Sequence, residues 1–181
     1  MELLDSEVLF EGHSLDLERK TYRREDGTVV VREVAEHPGS VAVLAHDEEF
    51  AYLVAQPREA VEEDRLLEIP AGTLDIAEET PLECARRELA EEAGLRAEEW
   101  RQLQVVYTSP GVLSEQAWIF VATGLAPASV EADPEEQIEV VRLPLAEIEA
   151  TLPELRDATT VIALLALLRE GVPRVPDPSR K

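Results

Sequence analysis

Three carboxylates in the segment "RELAEEAGL" (Arg87–Leu95) raise the first chemical question. Glu88, Glu91 and Glu92 stand at i, i+3 and i+4, so on a helix they share one side, one turn apart. Like charges at that spacing cost a helix roughly 0.2–0.5 kcal/mol per pair. The three also fall toward the helix C-terminus, where the dipole disfavours anions. The nearest bases, Arg86 and Arg87, precede the cluster instead of interleaving with it. Two readings fit: a solvated acidic face, or a cage for a hard divalent cation. Carboxylate oxygens are the ligands that Mg²⁺ and Mn²⁺ prefer, and a bound cation removes both costs. The chemistry implied by a cage is metal-assisted hydrolysis.

The carboxylates need a helix to align them, and its ends are written in the sequence. Thr80 suits the N-cap, Pro81 the first helical position, and Glu83 completes a capping box. Gly94 suits the residue just past the C-terminus. The signals predict a helix over Pro81–Ala93, with Leu82, Ala85 and Leu89 turned toward the core. Strands are predicted around it. Val8–Arg23 reads as strand-like, and "REDGT" (Arg24–Thr28) is a hairpin signal before "VVVREV" (Val29–Val34). "SVAVLAH" (Ser40–His46) and "FAYLVAQ" (Phe50–Gln56) read as paired strands, and a short strand in "LLEIPAG" ends at Pro70. "LQVVYTS" (Leu103–Ser109), "AWIFVAT" (Ala117–Thr123) and "IEVVRL" (Ile138–Leu143) follow. "LAEIEATL" reads as a short helix, and "DATTVIALLALLREG" as a helix capped by Asp157 and ended by Gly171. The pattern is mixed α/β with helices packed on sheet.

Composition bounds the partners. The 181 residues suffice for one domain with a core, and 45% are hydrophobic. The net charge of −22 argues against a nucleic acid polymer or an anionic membrane as partner, since both need a basic face. The single cysteine, Cys84, excludes an intrachain disulfide and reads as a packing residue. The N-terminal "MELLDSEVLFEG" has neither a basic n-region nor a long apolar run, and "VIALLALL" is too short to span a bilayer. The expectation is a soluble cytoplasmic protein.

"RELAEEAGL" resembles the R-E-U-x-E-E-x-G-U core of the Nudix box, where U is aliphatic. Glu79 fills the upstream Glu position, seven residues clear of Arg87, and Gly72 fills the Gly position. Six residues, "TLDIAE", separate Gly72 from Glu79 where the box has five, and its usual loop Gly is missing. Glu78 is the alternative Glu, with the insertion after it. The resemblance implies a Nudix fold: a mixed β-sheet sandwiched between helices, with an N-terminal antiparallel strand region. It implies two or more Mg²⁺ or Mn²⁺ ions held by Glu88 and Glu92, with Glu91 supporting and the carbonyl of Ala71 as a further ligand. Arg87 would pair with Glu79 and orient the helix.

Within the family, the chain resembles the ADP-ribose pyrophosphatases from about Val8 to Leu168. The resemblance rests on "LLEIPAG", on "TSPGVLSEQ" with Pro110 sixteen residues after Gly94, and on "RDATTVIALL". It implies splitting of ADP-ribose into AMP and ribose 5-phosphate. Substrate contacts would come from Arg58 on the phosphate or ribose side, and from Arg32, Glu68, Pro110, Gly111 and Glu115. Pro57 stands where the group usually has an aromatic. Glu136 in "EADPEEQIEV" would activate the water, with Glu135 and Asp133 as alternatives. The group forms homodimers with exchanged N-terminal strands, which places residues 1–35 at a dimer interface, 1–171 in one domain, and 172–181 in a Pro-rich flexible tail. Rival readings are another nucleoside diphosphate sugar, a dinucleotide or an oxidised nucleotide as substrate, or a non-catalytic ADP-ribose sensor.

Overall fold

The computed structural model describes residues 1–13, 15–129 and 137–171. Strands β1 (Glu2–Glu11), β2 (Asp16–Arg23) and β3 (Val29–Glu36) form a three-stranded antiparallel sheet in sequence order. The Asp-Gly turn is closed by a hydrogen bond from Gly27 N–H to Arg24 O at 3.0 Å. Val8–Arg23 is not one strand. A turn after Glu11, where Gly12 N–H donates to Asp16 Oδ1 at 3.1 Å, divides it. β1 also starts earlier than the apolar pattern suggested, because charge pairs hold it. Glu7 faces Arg19 and Glu2 faces Arg23 across the β1–β2 ladder, and both pairs are salt-bridged. Leu3, Val8, Phe10, Val29 and Val31 of this sheet are exposed.

The second sheet has seven strands. β4 (Ser40–His46) and β5 (Phe50–Arg58) lie centrally, β10 (Glu139–Pro144) pairs with β5, and β9 (Gln116–Pro127) runs parallel to β4. β8 (Leu95–Tyr107) completes the far edge, with β6 (Glu63–Glu68) on β5 and β7 (Ala71–Thr73) on β4. β8 begins directly after the first helix, eight residues before the expected Leu103. A register irregularity between Gln102 and Gln104 breaks its alternation and hides its first half in the sequence.

β4 shows why the sheet is covered on both faces. Val41, Val43 and Ala45 pack with Phe120 and Ala122 against helix α1 (Pro81–Ala93), through Cys84, Ala85 and Leu89. The intervening Ala42 and Leu44 pack with Leu53 and Ile119 against α2 (Ile148–Thr151) and α3 (Ala158–Glu170), through Ile148, Ala163 and Leu164. The period of two assigns alternate residues to opposite helices. The "LAEIEATL" helix is a single α turn flanked by 3-10 turns at Leu145–Glu147 and Leu152–Glu154. α1 carries its capping box: Glu83 N–H donates to Thr80 Oγ1 at 3.3 Å, and Thr80 N–H to Glu83 Oε2 at 2.9 Å. The two sheets meet where Ala35 N–H donates to Val112 O at 2.8 Å and Ser114 N–H to Ala35 O at 3.0 Å. Among the described residues no helix is long and apolar enough to cross a membrane.

Candidate active site

β4 and β5 pair only at Ala45–Tyr52 and His46–Ala51, then part. β6 fills the fork on the β5 side and β7 on the β4 side. The chain therefore crosses the fork at Ile69–Pro70. A cavity of about 360 Å³ opens there, lined among others by Arg58, Glu68, Ala71, Gly72, Glu115 and Asp157.

α1 lays its carboxylates against β7. An ideal Cβ on Gly72 would lie 1.9 Å from Glu88 Oε1, so only a glycine leaves room for that carboxylate. Glu92, 9% exposed, accepts Ala71 N–H on Oε2 at 2.9 Å. Arg87 gathers the other carboxylates. Its Nε and Nη2 each reach a Glu79 oxygen at 3.0 Å, and Nη1 donates to Glu88 at 2.6 Å and Glu91 at 3.1 Å. The fork-to-fork pair with Glu79 is the geometry guanidinium is shaped for. Glu79 raises the guanidinium pKa first, against desolvation and with help from Glu88 and Glu91. In return the Arg87 hydrogen bond holds Glu79 below the usual carboxylate range, overcoming desolvation. Glu78 takes the extra residue of the loop by adopting a left-handed backbone, φ 69°. Burial, then the Glu79 and Glu88 charges working against Arg87, push the Cys84 thiol up to about 12, which excludes it as a nucleophile at neutral pH.

The carboxylates nearest Gly72 and Ala71, those of Glu88 and Glu92, are hard oxygen donors. This donor set suits Mg²⁺ or Mn²⁺. Among the described residues no three His, Cys, Asp or Glu side chains stand together as ligands. Glu88 and Glu91 are drawn to Arg87, which supplies the neutralising charge in this arrangement.

The expected substrate residues divide into two groups. Arg58 donates from Nε to Glu68 at 2.9 Å and from Nη2 at 2.8 Å, and Gln56 Nε2 reaches the same carboxylate at 3.2 Å. Desolvation lowers the Arg58 pKa, but Glu68, Glu92 and Asp157 together raise it above normal. Glu115 lines the same cavity; one oxygen accepts the Thr108 hydroxyl and the other lies 3.9 Å from His37 Nδ1. Arg32, Pro110 and Gly111 instead line a separate cavity of about 670 Å³ between the sheets, with Lys20, Tyr22 and Tyr107. Arg32 Nη1 donates to its neighbour's carbonyl, Val31 O, at 2.7 Å. Glu136, Glu135 and Asp133 lie outside the described residues, as does the tail 172–181. Sequence reasoning did not single out Gln56, Thr108 or Thr160. Only Thr160 left a signal, as a hydroxyl three residues after the capping Asp157 at the head of a largely apolar helix.

The NUDIX domain family matches residues 35–164. The ADP-ribose pyrophosphatase of Mycobacterium tuberculosis (strain ATCC 25618 / H37Rv) is 40% identical over 124 residues, 68% of this chain and 60% of that protein. The chain thus spans somewhat under two thirds of that relative. The ADP-ribose pyrophosphatase of Bacillus subtilis (strain 168) is 36% identical over 172 residues, 92% of each chain. A solved structure described as an ADP compounds hydrolase superposes with TM-score 0.77 at 27% identity, covering 93% of this chain and 91% of that one.

Proposed function

The chain belongs to the NUDIX domain family, and on that premise we propose that it is a metal-dependent pyrophosphatase that splits ADP-ribose into AMP and ribose 5-phosphate. The observation that carries the reading is the Glu88 carboxylate seated on Gly72 beside Glu92 and Ala71. The ADP-ribose assignment is supported by two relatives bearing that name at 40% and 36% identity.

Glu88, Glu91, Glu92 and the Ala71 carbonyl would hold the cations. Two or more Mg²⁺ or Mn²⁺ ions, when bound, neutralise the pyrophosphate and lower the pKa of a bound water. The protein does the rest by position. The Arg87–Glu79 clamp fixes the loop ahead of α1 against the helix. Arg58, held by Glu68 at the cavity mouth, binds a phosphate or ribose oxygen of the substrate. A carboxylate from the loop before β10, Glu136 with Glu135 and Asp133 as alternatives, takes the proton from the attacking water. Water adds to one phosphorus, the bridging P–O bond breaks, and the departing phosphate carries the electron pair.

The adenosine end falls to Arg32, Pro110, Gly111 and Glu115, with the N-terminal strands exchanged in a homodimer. The exposed Leu3, Val8, Phe10, Val29 and Val31 support a partner over that sheet. Residues 1–171 then act as one domain. The acidic charge of −22 favours a small diphosphate over a nucleic acid polymer, and the single cysteine suits the cytoplasm. The sensor reading loses ground because Glu78 absorbs the extra loop residue while Glu79 keeps both bonds to Arg87.

The test is AMP release from ADP-ribose, NADH, ADP-glucose and GDP-mannose, with Mg²⁺, Mn²⁺ or EDTA, alongside Glu92→Gln. Metal-dependent release from ADP-ribose, lost in the variant, supports the proposal. Release from another substrate alone moves the specificity, and tight metal-independent binding without turnover makes the chain a sensor.

A further inference from the structure

The crossing Glu68–Ala71 joins the two halves of the site. At one end Glu68 holds Arg58. At the other, Ala71 N–H meets Glu92. Between them Pro70 has no N–H to anchor it, and its carbonyl accepts Val43 N–H at 2.8 Å. β6 ends at Glu68, so the N–H of the buried Ile69 needs an acceptor beyond the strand. It finds Thr160 Oγ1 at 2.8 Å, on α3 and 91 residues away.

Thr160 is fully buried. Its hydroxyl donates to Asp157 Oδ2 at 2.6 Å, which leaves a lone pair for Ile69. The same Asp157 oxygen accepts Thr160 N–H at 2.7 Å and the Thr159 hydroxyl at 2.6 Å. Capping α3 needs only the carboxylate and the backbone N–H, so the Thr160 hydroxyl is surplus to the cap. A valine would fill the same space in the core. A buried hydroxyl is costly unless both its bonds are made, and here both are. Asp157 and Thr159 line the cavity shared by Arg58, Glu68 and Ala71.

We propose that Thr160, oriented by Asp157, is a positioning residue that fixes the β6–β7 crossing and so sets the Arg58–Glu68 pair against the Ala71–Glu92 contact. The inference rests on the proposed function, in which those two contacts flank substrate and cations.

The experiment compares wild type, Thr160→Val, Thr160→Ser and Leu167→Ala, a core substitution on α3 remote from the hydroxyl. Mn²⁺ binding is followed by electron paramagnetic resonance without substrate, then kcat and KM for ADP-ribose are measured. Thr160→Val is expected to weaken Mn²⁺ binding and lower kcat/KM, each by about 10-fold, the usual scale for a lost supporting contact. Thr160→Ser should stay near wild type, and Leu167→Ala should lose thermal stability while keeping Mn²⁺ affinity. If valine prevents folding, Thr160→Cys replaces it, since a thiol is a weak acceptor of similar size. Wild-type Mn²⁺ affinity and turnover in the valine or cysteine variant overturn the inference, as does Leu167→Ala matching their Mn²⁺ loss. A wild-type chain that binds no Mn²⁺ overturns the proposed function itself, a separate result.

Discussion

The Glu88 carboxylate occupies the space a side chain on Gly72 would need, with an ideal Cβ at 1.9 Å from Oε1 and 2.0 Å from the carboxyl carbon. Gly72 is therefore required for close approach and not for an unusual backbone. Gly72→Ala must push Glu88 off β7 or move β7 off β4. We expect a stability loss of about 1–3 kcal/mol, typical of overpacking. Mn²⁺ affinity and AMP release should fall together by at least about 10-fold. Calorimetric melting and an Mn²⁺ titration check both; an alanine variant with intact Mn²⁺ affinity would mean that Glu88 is not a ligand.

Arg87 bridges Glu79, Glu88 and Glu91. Removing it takes away a positive charge that all three share. Arg87→Ala should cost about 2 kcal/mol, below the range for fully buried pairs because the Arg87 side chain is 26% exposed. Added Mg²⁺ should raise the melting temperature of the variant more than that of wild type, since the cation takes over the neutralising role. Arg87→Lys should recover little, because an ammonium does not span both Glu79 oxygens. Equal Mg²⁺ shifts in variant and wild type would separate Arg87 from the cation site.

The same pair predicts a pH dependence. The Arg87 hydrogen bond depresses the Glu79 pKa in the folded state below its usual 4.5. A depressed carboxylate contributes stability above its unfolded pKa and loses it as pH falls through the folded one. Wild type should thus lose stability below about pH 4.5, where the unfolded chain takes up protons first. Glu79→Gln should be less stable at pH 7 and show a shallower acid slope. Parallel acid profiles for the two proteins would remove Glu79 as a contributor.

What the sequence made legible was local or periodic. Thr80, Pro81, Glu83 and Gly94 bracket α1 because caps are local chemistry, and the unbroken apolar run of β4 marks a buried strand. What stayed hidden depends on distant partners. The Ile69–Thr160 bond spans 91 residues. β1 is held by charge pairs, so no apolar rhythm betrays it. That Arg32 and Arg58 line different cavities of one chain is equally hidden, because the fork between β4 and β5 is a property of pairing and not of composition.

Glu78 offers a test of the departure from the usual Gly72–Glu79 spacing. Its φ of 69° lies in the left-handed region, which costs a side chain about 1–2 kcal/mol. Glycine would remove that cost, although its greater freedom in the unfolded chain returns roughly 0.5–1 kcal/mol. Glu78→Gly should therefore stabilise the protein by about 0.5–1 kcal/mol. The Arg87–Glu79 bonds hold the loop from its far side, so AMP release should change little. Glu78→Val should do the opposite, since a β-branched residue resists φ above zero. The loop then forms less readily, and Glu79 reaches Arg87 at the expense of backbone strain. Paired chemical denaturation curves with unchanged m-values decide the matter. A glycine variant less stable than wild type would show that Glu78 is held there by its side chain, and that the extra residue has a role of its own.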